Sequence, residues 1–289
     1  MVSRKITRRR TLEGVGASIV AAPFILGCRG KGATPAGSTQ EQDQPKRAEV
    51  VQRIASVAAI DGAGATVQRV FPTPQLRHLD PFVLLDDFAV TAPAGFPEHP
   101  HRGFEAFTYM IDGAFHHRDD LGNDSLITSG GTQRFNSGRG ARHSEMPGGA
   151  GTHRGLQLWV NLPRRLKTMD PEYEGTDASV MPVSRTNELE VRTIVGEGSP
   201  VALHTRVDYL DVTLLADNRF VRTIEPERNT LVYVIAGAVQ IAGQSVSRGQ
   251  GVLLSPGRLE VGGRSGARFA FLSGRPHDEP IVHRGPFVD

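Results

Sequence analysis

The sequence predicts an all-β protein made of two tandem β-barrels, and three observations lead there. From about Ala48 onward, short runs of β-branched and aromatic residues are separated by Gly, Asp, Asn and Pro turns, in a chain of 289 residues with 33 Gly and 19 Pro. That composition belongs to turn-rich β structure rather than to a coiled coil or a disordered chain. Leu156, Leu158, Val160 and Leu162 alternate with Gln157, Trp159 and Asn161, the period of a strand, and the run Phe104 to Ile111 ends in the hairpin signal Asp112-Gly113. The third observation is a repeat: Thr108-Tyr109-Met110-Ile111-Asp112-Gly113-Ala114-Phe115 returns 124 residues later as Val232-Tyr233-Val234-Ile235-Ala236-Gly237-Ala238-Val239. Downstream, Ser129-Gly130-Gly131 corresponds to Ser247-Arg248-Gly249 at an offset of 118. Two copies at so long a period indicate a duplicated barrel, because a solenoid has shorter and more numerous repeats.

Taken in order, residues 1–28 read as an export segment. Arg4, Lys5, Arg8, Arg9 and Arg10 stand against Glu13 alone, and Gly14 to Gly27 then runs without a charge, too short for a membrane span of roughly 20 residues. Thr7-Arg8-Arg9-Arg10-Thr11-Leu12 resembles a twin-arginine signal, and Ile25-Leu26-Gly27-Cys28 resembles a lipobox whose cysteine is lipidated. Thr11 stands where Phe is usual, and Leu26 where a smaller residue is usual. Residues 29–47, rich in Gly, Ser, Thr, Gln and Pro, read as a flexible tether. Residues 48–178 form the first barrel and 179–289 the second, with the boundary in the polar stretch Asp177 to Glu188.

Cys28 is the only cysteine, which excludes an internal disulfide, a Cys-rich zinc site and a CxxC redox pair. A net charge of +2, concentrated in the export segment, gives no nucleic-acid surface. Serine-nucleophile and nucleotide-binding motifs are missing as well: there is no GxSxG elbow and no Walker or GxGxxG loop after a strand.

The chemistry sits in Glu98-His99-Pro100-His101-Arg102-Gly103-Phe104-Glu105 and in His143-Ser144-Glu145. On a strand, i and i+2 share a face, so His99 and His101 from one strand can converge with His143 and Glu145 from another inside one barrel. Pro100 then faces away and implies an edge strand or a bulge. Three imidazoles and one carboxylate suit a divalent first-row transition metal, with two octahedral positions left for water, substrate or dioxygen. Glu105 is the rival carboxylate, either a ligand or a brace. The offsets place Thr223, Glu225, Val261 and Gly263 opposite these four residues in the second copy, which is therefore expected to be metal-free. His116-His117 reads as a solvated hairpin, and His204, His277 and His283 as structural or exposed. Phe104, Phe135 and Met146 are candidate apolar walls.

At these residues the sequence resembles the pirin family of the cupin superfamily. The resemblance is carried by His99-Pro100-His101-Arg102-Gly103-Phe104-Glu105, by Gly138-Arg139-Gly140 leading to His143-Ser144-Glu145-Met146-Pro147, by Gly155 to Pro163, and by the ending Gly285-Pro286-Phe287-Val288. It covers roughly residues 60 to 289. It implies a bicupin, two tandem jelly-roll-like cupin barrels, with iron held in the first barrel by His99, His101, His143 and Glu145, and with Glu105 not a ligand. Fe(II) is the expected metal, and Mn, Ni, Co and Cu are compatible. Ser129-Gly130-Gly131 replaces the usual Pro-Gly-Asp turn, and Glu98 places an extra carboxylate beside the site. The implied activity is that of a quercetinase, a dioxygenase cleaving a flavonol or catechol-like enol, with Glu145 as ligand and general base. The alternative is a non-catalytic metal- and ligand-binding protein. The expected partners are a small aromatic enol and dioxygen, with no nucleic acid. The protein is expected to be monomeric, exported to the cell envelope and anchored through Cys28.

Overall fold

The structure is a computed structural model that describes residues 46–289. The export segment 1–28, with its lipobox Cys28, and the tether as far as residue 45 lie outside the described residues. Lys46 and Arg47, assigned by the sequence to the tether, already dock on the second barrel. There the Arg258 N–H donates to the Lys46 carbonyl at 2.8 Å, and Arg47 forms a bridge with Arg258.

Each barrel is a seven-stranded sheet facing a four-stranded one, so the fold is all-β with two cupin domains. In the first barrel the large sheet runs Glu172–Thr176, Thr132–Asn136, Phe104–Asp112, Thr152–Asn161, Phe82–Thr91, Ala65–Phe71, Val57–Asp61. Its small sheet runs Phe96–His101, Ala141–Pro147, Ala114–Asp119, Asp124–Thr128. The second barrel repeats this order with Val50–Ala55, Gln250–Leu254, Asn229–Ala236, Arg268–Gly274, Val207–Leu214, Leu189–Val195 and Val183–Arg185. The repeated octapeptides therefore supply equivalent central strands, Phe104–Asp112 and Asn229–Ala236. One strand crosses the expected division: Val50–Ala55 pairs with Gln250–Leu254, so the start of the 48–178 segment completes the second barrel's sheet. In the first barrel the same edge slot is filled by Glu172–Thr176, from the far end of that segment.

Alternation along the central strands sorts side chains between two buried faces. Phe107, Tyr109, Leu156, Leu158 and Val160 meet Tyr209, Leu231, Tyr233, Ile235 and Leu272 in an apolar layer between the barrels. The opposite face of the same strands looks into the barrel interiors. In the second barrel that interior is a continuous core of Val212, Phe220, Val232, Val234, Ile241, Val261, Phe269 and Phe271 with their neighbours. In the first it is divided into two apolar clusters, one around Phe104, Phe135 and Trp159 and the other around Phe88, Met110 and Phe115. Polar side chains converge in that first interior.

Candidate metal centre

Phe96–His101 is an edge strand, as Pro100 requires, bonded only to Ala141–Pro147. The register sets His99 opposite His143, and a bulge follows between His143 and Glu145. The ligand nitrogens of His99, His101 and His143 lie within 4.8 Å of one another. His99 Nδ1 is 2.8 Å from the Pro97 carbonyl and His101 Nδ1 is 3.2 Å from the Pro286 carbonyl. A carbonyl can only accept, so each Nδ1 carries the proton and each Nε2 presents a lone pair inward. Those two Nε2 atoms stand 2.9 Å apart. Two facing lone pairs at that distance repel unless a cation lies between them or a proton is taken up. His143 is 1% exposed, and both of its ring nitrogens are buried without a hydrogen-bond partner. Orphaned buried donors are rare in proteins. Convergent lone pairs and an unpartnered imidazole together are the donor set a transition-metal ion satisfies.

Burial keeps His101 and His143 neutral. It pushes His101 down to about 3, with the neighbouring His99 adding to the effect, and it holds His143 well below the ordinary imidazole range, helped by His101 and His99. Phe135 stacks flat on His143 with centroids 4.3 Å apart, and Phe104 packs 4.9 Å from His101 and stacks on Trp159. Phe104 and Phe135 thus fix the ligand rings from behind instead of lining the cavity, while Met146 packs under Gly95.

Glu145 stands apart from the three imidazoles. It is 4% exposed and faces the same interior, but Gln133 Nε2 donates to its Oε1 at 2.5 Å and Gln157 Nε2 to its Oε2 at 3.3 Å. The Thr108 hydroxyl lies 2.6 Å from Glu145 Oε1 and 2.5 Å from Gln157 Oε1, and its single proton serves one of them at a time. Glu105, fully buried, points away from this site: Arg134 donates to its Oε1 at 3.2 Å and the His204 N–H to its Oε2 at 3.0 Å. It is a brace between the barrels.

A cavity of about 1000 Å³ opens beside the imidazoles, lined by His99, His101, Glu145, Gln157, Trp159 and aromatic residues such as Phe88. Several contributors escape sequence reasoning. Gln157 and Trp159 are legible only as the alternate set of a strand whose leucines face the other barrel. His283, read as structural or exposed, lines the cavity with its ring 5.6 Å from Trp159. His117 is not solvated: it is fully buried, stacks on Tyr173 at 4.0 Å, and places Nε2 3.0 Å from Asp119. The segment from Ile281 to Val288 crosses from the second barrel to the first. There Pro286 holds His101, Val288 is fully buried among Phe104 and Trp159, and Val288 N donates to the Arg102 carbonyl at 3.0 Å.

Fold and site define a bicupin whose first barrel carries a histidine cluster suited to a metal ion. Residues 64–160 match the Pirin family and residues 209–289 match the Pirin C-terminal cupin domain. The chain belongs to the pirin family. A pirin-like protein of Solanum lycopersicum is 39% identical over 249 residues, covering 83% of this chain and 86% of that one. A Pseudomonas aeruginosa protein provisionally named quercetin 2,3-dioxygenase is 37% identical over 249 residues, covering 80% of this chain and 87% of that one. The crystal structure of a quercetin 2,3-dioxygenase from Acinetobacter baumannii superposes with a TM-score of 0.77 at 29% identity, covering 83% of each chain.

Proposed function

We propose that the protein is a metal-dependent dioxygenase of the quercetin 2,3-dioxygenase type, acting on a flavonol or catechol-like enol. The observation that carries this reading is the convergence of His99, His101 and His143, the first two of which line a large, partly aromatic cavity that Glu145 also borders. Cavities of this size and lining take flat, drug-sized ligands oriented by a few polar groups. His99, His101 and His143 hold the ion, with Glu145 completing the set once it turns from its amide partners. Fe(II) fits this neutral-nitrogen and carboxylate set, as do Mn, Ni, Co and Cu. When bound, the metal supplies Lewis acidity toward an enolate oxygen and the redox chemistry of dioxygen.

This chain's own residues do the rest. In the position held by Gln133, Gln157 and Thr108, away from the metal, Glu145 accepts the proton of the substrate hydroxyl, and those three groups aim its carboxylate and share the charge. Trp159 and Phe88 clamp the aromatic face and exclude water. The reading also places the protein in the cell envelope as a monomer, anchored through Cys28, with a small aromatic enol and dioxygen as partners and no nucleic acid. That placement rests on the Arg8-Arg9-Arg10 and Leu26-Gly27-Cys28 motifs.

The test combines metal analysis of purified protein with oxygen uptake on quercetin. Metal-loaded protein should consume oxygen, and Glu145→Gln should keep metal yet lose most of the turnover. Loaded protein that binds the flavonol without oxygen uptake would instead support a non-catalytic ligand-binding role. For the location, Cys28→Ser should move the protein from the membrane fraction to the soluble fraction.

A further inference from the structure

The two barrels meet through two copies of one polar device. Tyr109 and Tyr233 are equivalent in the repeat, and so are Asp87 and Asp211, both pairs at an offset of 124. Each tyrosine donates across the junction to the other barrel's aspartate: Tyr109 to Asp211 Oδ2 at 2.6 Å, and Tyr233 to Asp87 Oδ2 at 3.1 Å. The strand registers add an equivalent arginine to each. Arg154 lies two positions from Leu156, the partner of Asp87 and Tyr109, and Arg268 lies two positions from Ala270, the partner of Asp211 and Tyr233.

The molecule therefore contains its own control, and the copies differ. At Asp211 the guanidinium closes a two-pronged ion pair, with Arg268 Nε 2.9 Å from Oδ1 and Nη2 2.5 Å from Oδ2. At Asp87 the Arg154 guanidinium comes no nearer than 3.9 Å, and its Nη2 is buried with no hydrogen-bond partner. A buried charged donor without an acceptor is costly to leave unmade. Beside it lies a cleft of about 480 Å³, bordered by Ser56, Gln68, Arg154, Tyr233, Arg248 and Gln250. Arg248 borders the same cleft and makes no side-chain hydrogen bond or ion pair among the described residues. The cleft faces the outside of the junction and shares no lining residue with the imidazole cavity except Val67.

We propose that this junction cleft binds a small organic anion, its carboxylate or phosphate group held between the Arg154 and Arg248 guanidiniums. Two guanidiniums present donor forks that match an oxyanion bidentately. The cleft has room for more than the anionic group, and the amides of Gln68 and Gln250 and the Ser56 hydroxyl border that remaining space. Asp87 takes its hydrogen bond from Tyr233 on Oδ2 and leaves Arg154 at 3.9 Å, so an oxyanion can accept the guanidinium hydrogen bonds that Asp87 does not. The site is distinct from the metal centre, and it stands whether or not the dioxygenase reading does.

The test is calorimetric titration of the purified protein with inorganic phosphate and with malonate, at fixed ionic strength, with chloride as reference. One saturable site is expected, weakened about tenfold or more in Arg248→Ala and in Arg154→Lys, which loses the fork but keeps the charge. Arg248 is exposed, so its variant retains the fold. His101→Ala should bind the anions as wild type does. Stronger phosphate binding identifies a phosphate ester as the ligand class, and stronger malonate binding a carboxylate. Absence of saturable binding by either anion, undiminished binding in Arg248→Ala, or loss of binding in His101→Ala overturns the proposal.

Discussion

Gly103, between the two metal-side histidines and Phe104, offers the most exacting test of how the second barrel's last segment supports the site. Its φ is +87°, and a Cβ built there falls 1.9 Å from the Val288 carbonyl oxygen. Since real Cβ atoms keep about 3 Å from such an oxygen, Gly103→Ala must displace the backbone at Val288 by roughly 1 Å. A non-glycine residue in this conformation costs about 1–3 kcal/mol by itself. Displacing Val288 also loosens the Lys167 Nζ contacts to the Val288 and Gly103 carbonyls, both 2.9 Å, and exposes a valine side chain whose burial is worth about 1.5–3 kcal/mol. A loss of about 3–5 kcal/mol follows, which for a domain of this size lowers Tm by roughly 6–20 °C. Pro286 moves with Val288, so His101 loses the carbonyl that fixes its tautomer, and metal affinity should fall about 10- to 100-fold. Thermal denaturation and metal titration read the two effects separately. A Gly103→Ala protein with wild-type Tm and wild-type metal affinity would refute the supporting role of this segment.

Three further outcomes follow from the same geometry. His101→Ala should abolish metal binding, measured by elemental analysis, whereas His204→Ala should retain it, because that ring pairs with Glu172 at 3.1 Å outside the site. In metal-free protein, His101 titrates near 3 when folded and near the ordinary 6.5 when unfolded, so the unfolded chain binds the extra proton between those values. Stability should therefore fall as pH drops below about 6.5, by up to about 1.4 kcal/mol per pH unit for this group; urea denaturation of the metal-free protein from pH 7 to 5 reads it. At the barrel junction, Tyr109→Phe removes one hydrogen bond and should cost about 1–2 kcal/mol, while Asp211→Ala strands the Arg268 guanidinium and should cost about 3–5 kcal/mol in chemical denaturation.

Much of this was legible in the chain because period-2 patterning and short motifs are local signals. The two barrels, their equivalent central strands and the positions of His99, His101 and His143 all come from residues that sit near one another in sequence or on one strand. His117 escaped because nothing local distinguishes a hairpin histidine in water from one stacked on Tyr173, which is 56 residues away. Glu105 could not be told from a ligand by its spacing, since its role is set by Arg134 and by the His204 backbone, both distant in sequence. Val50–Ala55 opens the segment read as the first barrel yet pairs with the second barrel's sheet, because a strand's pattern states that it pairs but not with which edge.

By itself, the sequence determined an all-β duplicated chain with one histidine-bearing copy, because alternation and repeat are written residue by residue. Tertiary structure alone decided that Pro286 and Val288 of the second barrel complete the first barrel's site and that Glu145 rests on Gln133 and Gln157 beside the imidazoles. It alone also left one of two equivalent arginines, Arg154, at 3.9 Å from its aspartate without the hydrogen bonds that Arg268 makes. These are contacts between segments tens to hundreds of residues apart, fixed by how two twisted sheets pack back to back, and no local pattern encodes that distance.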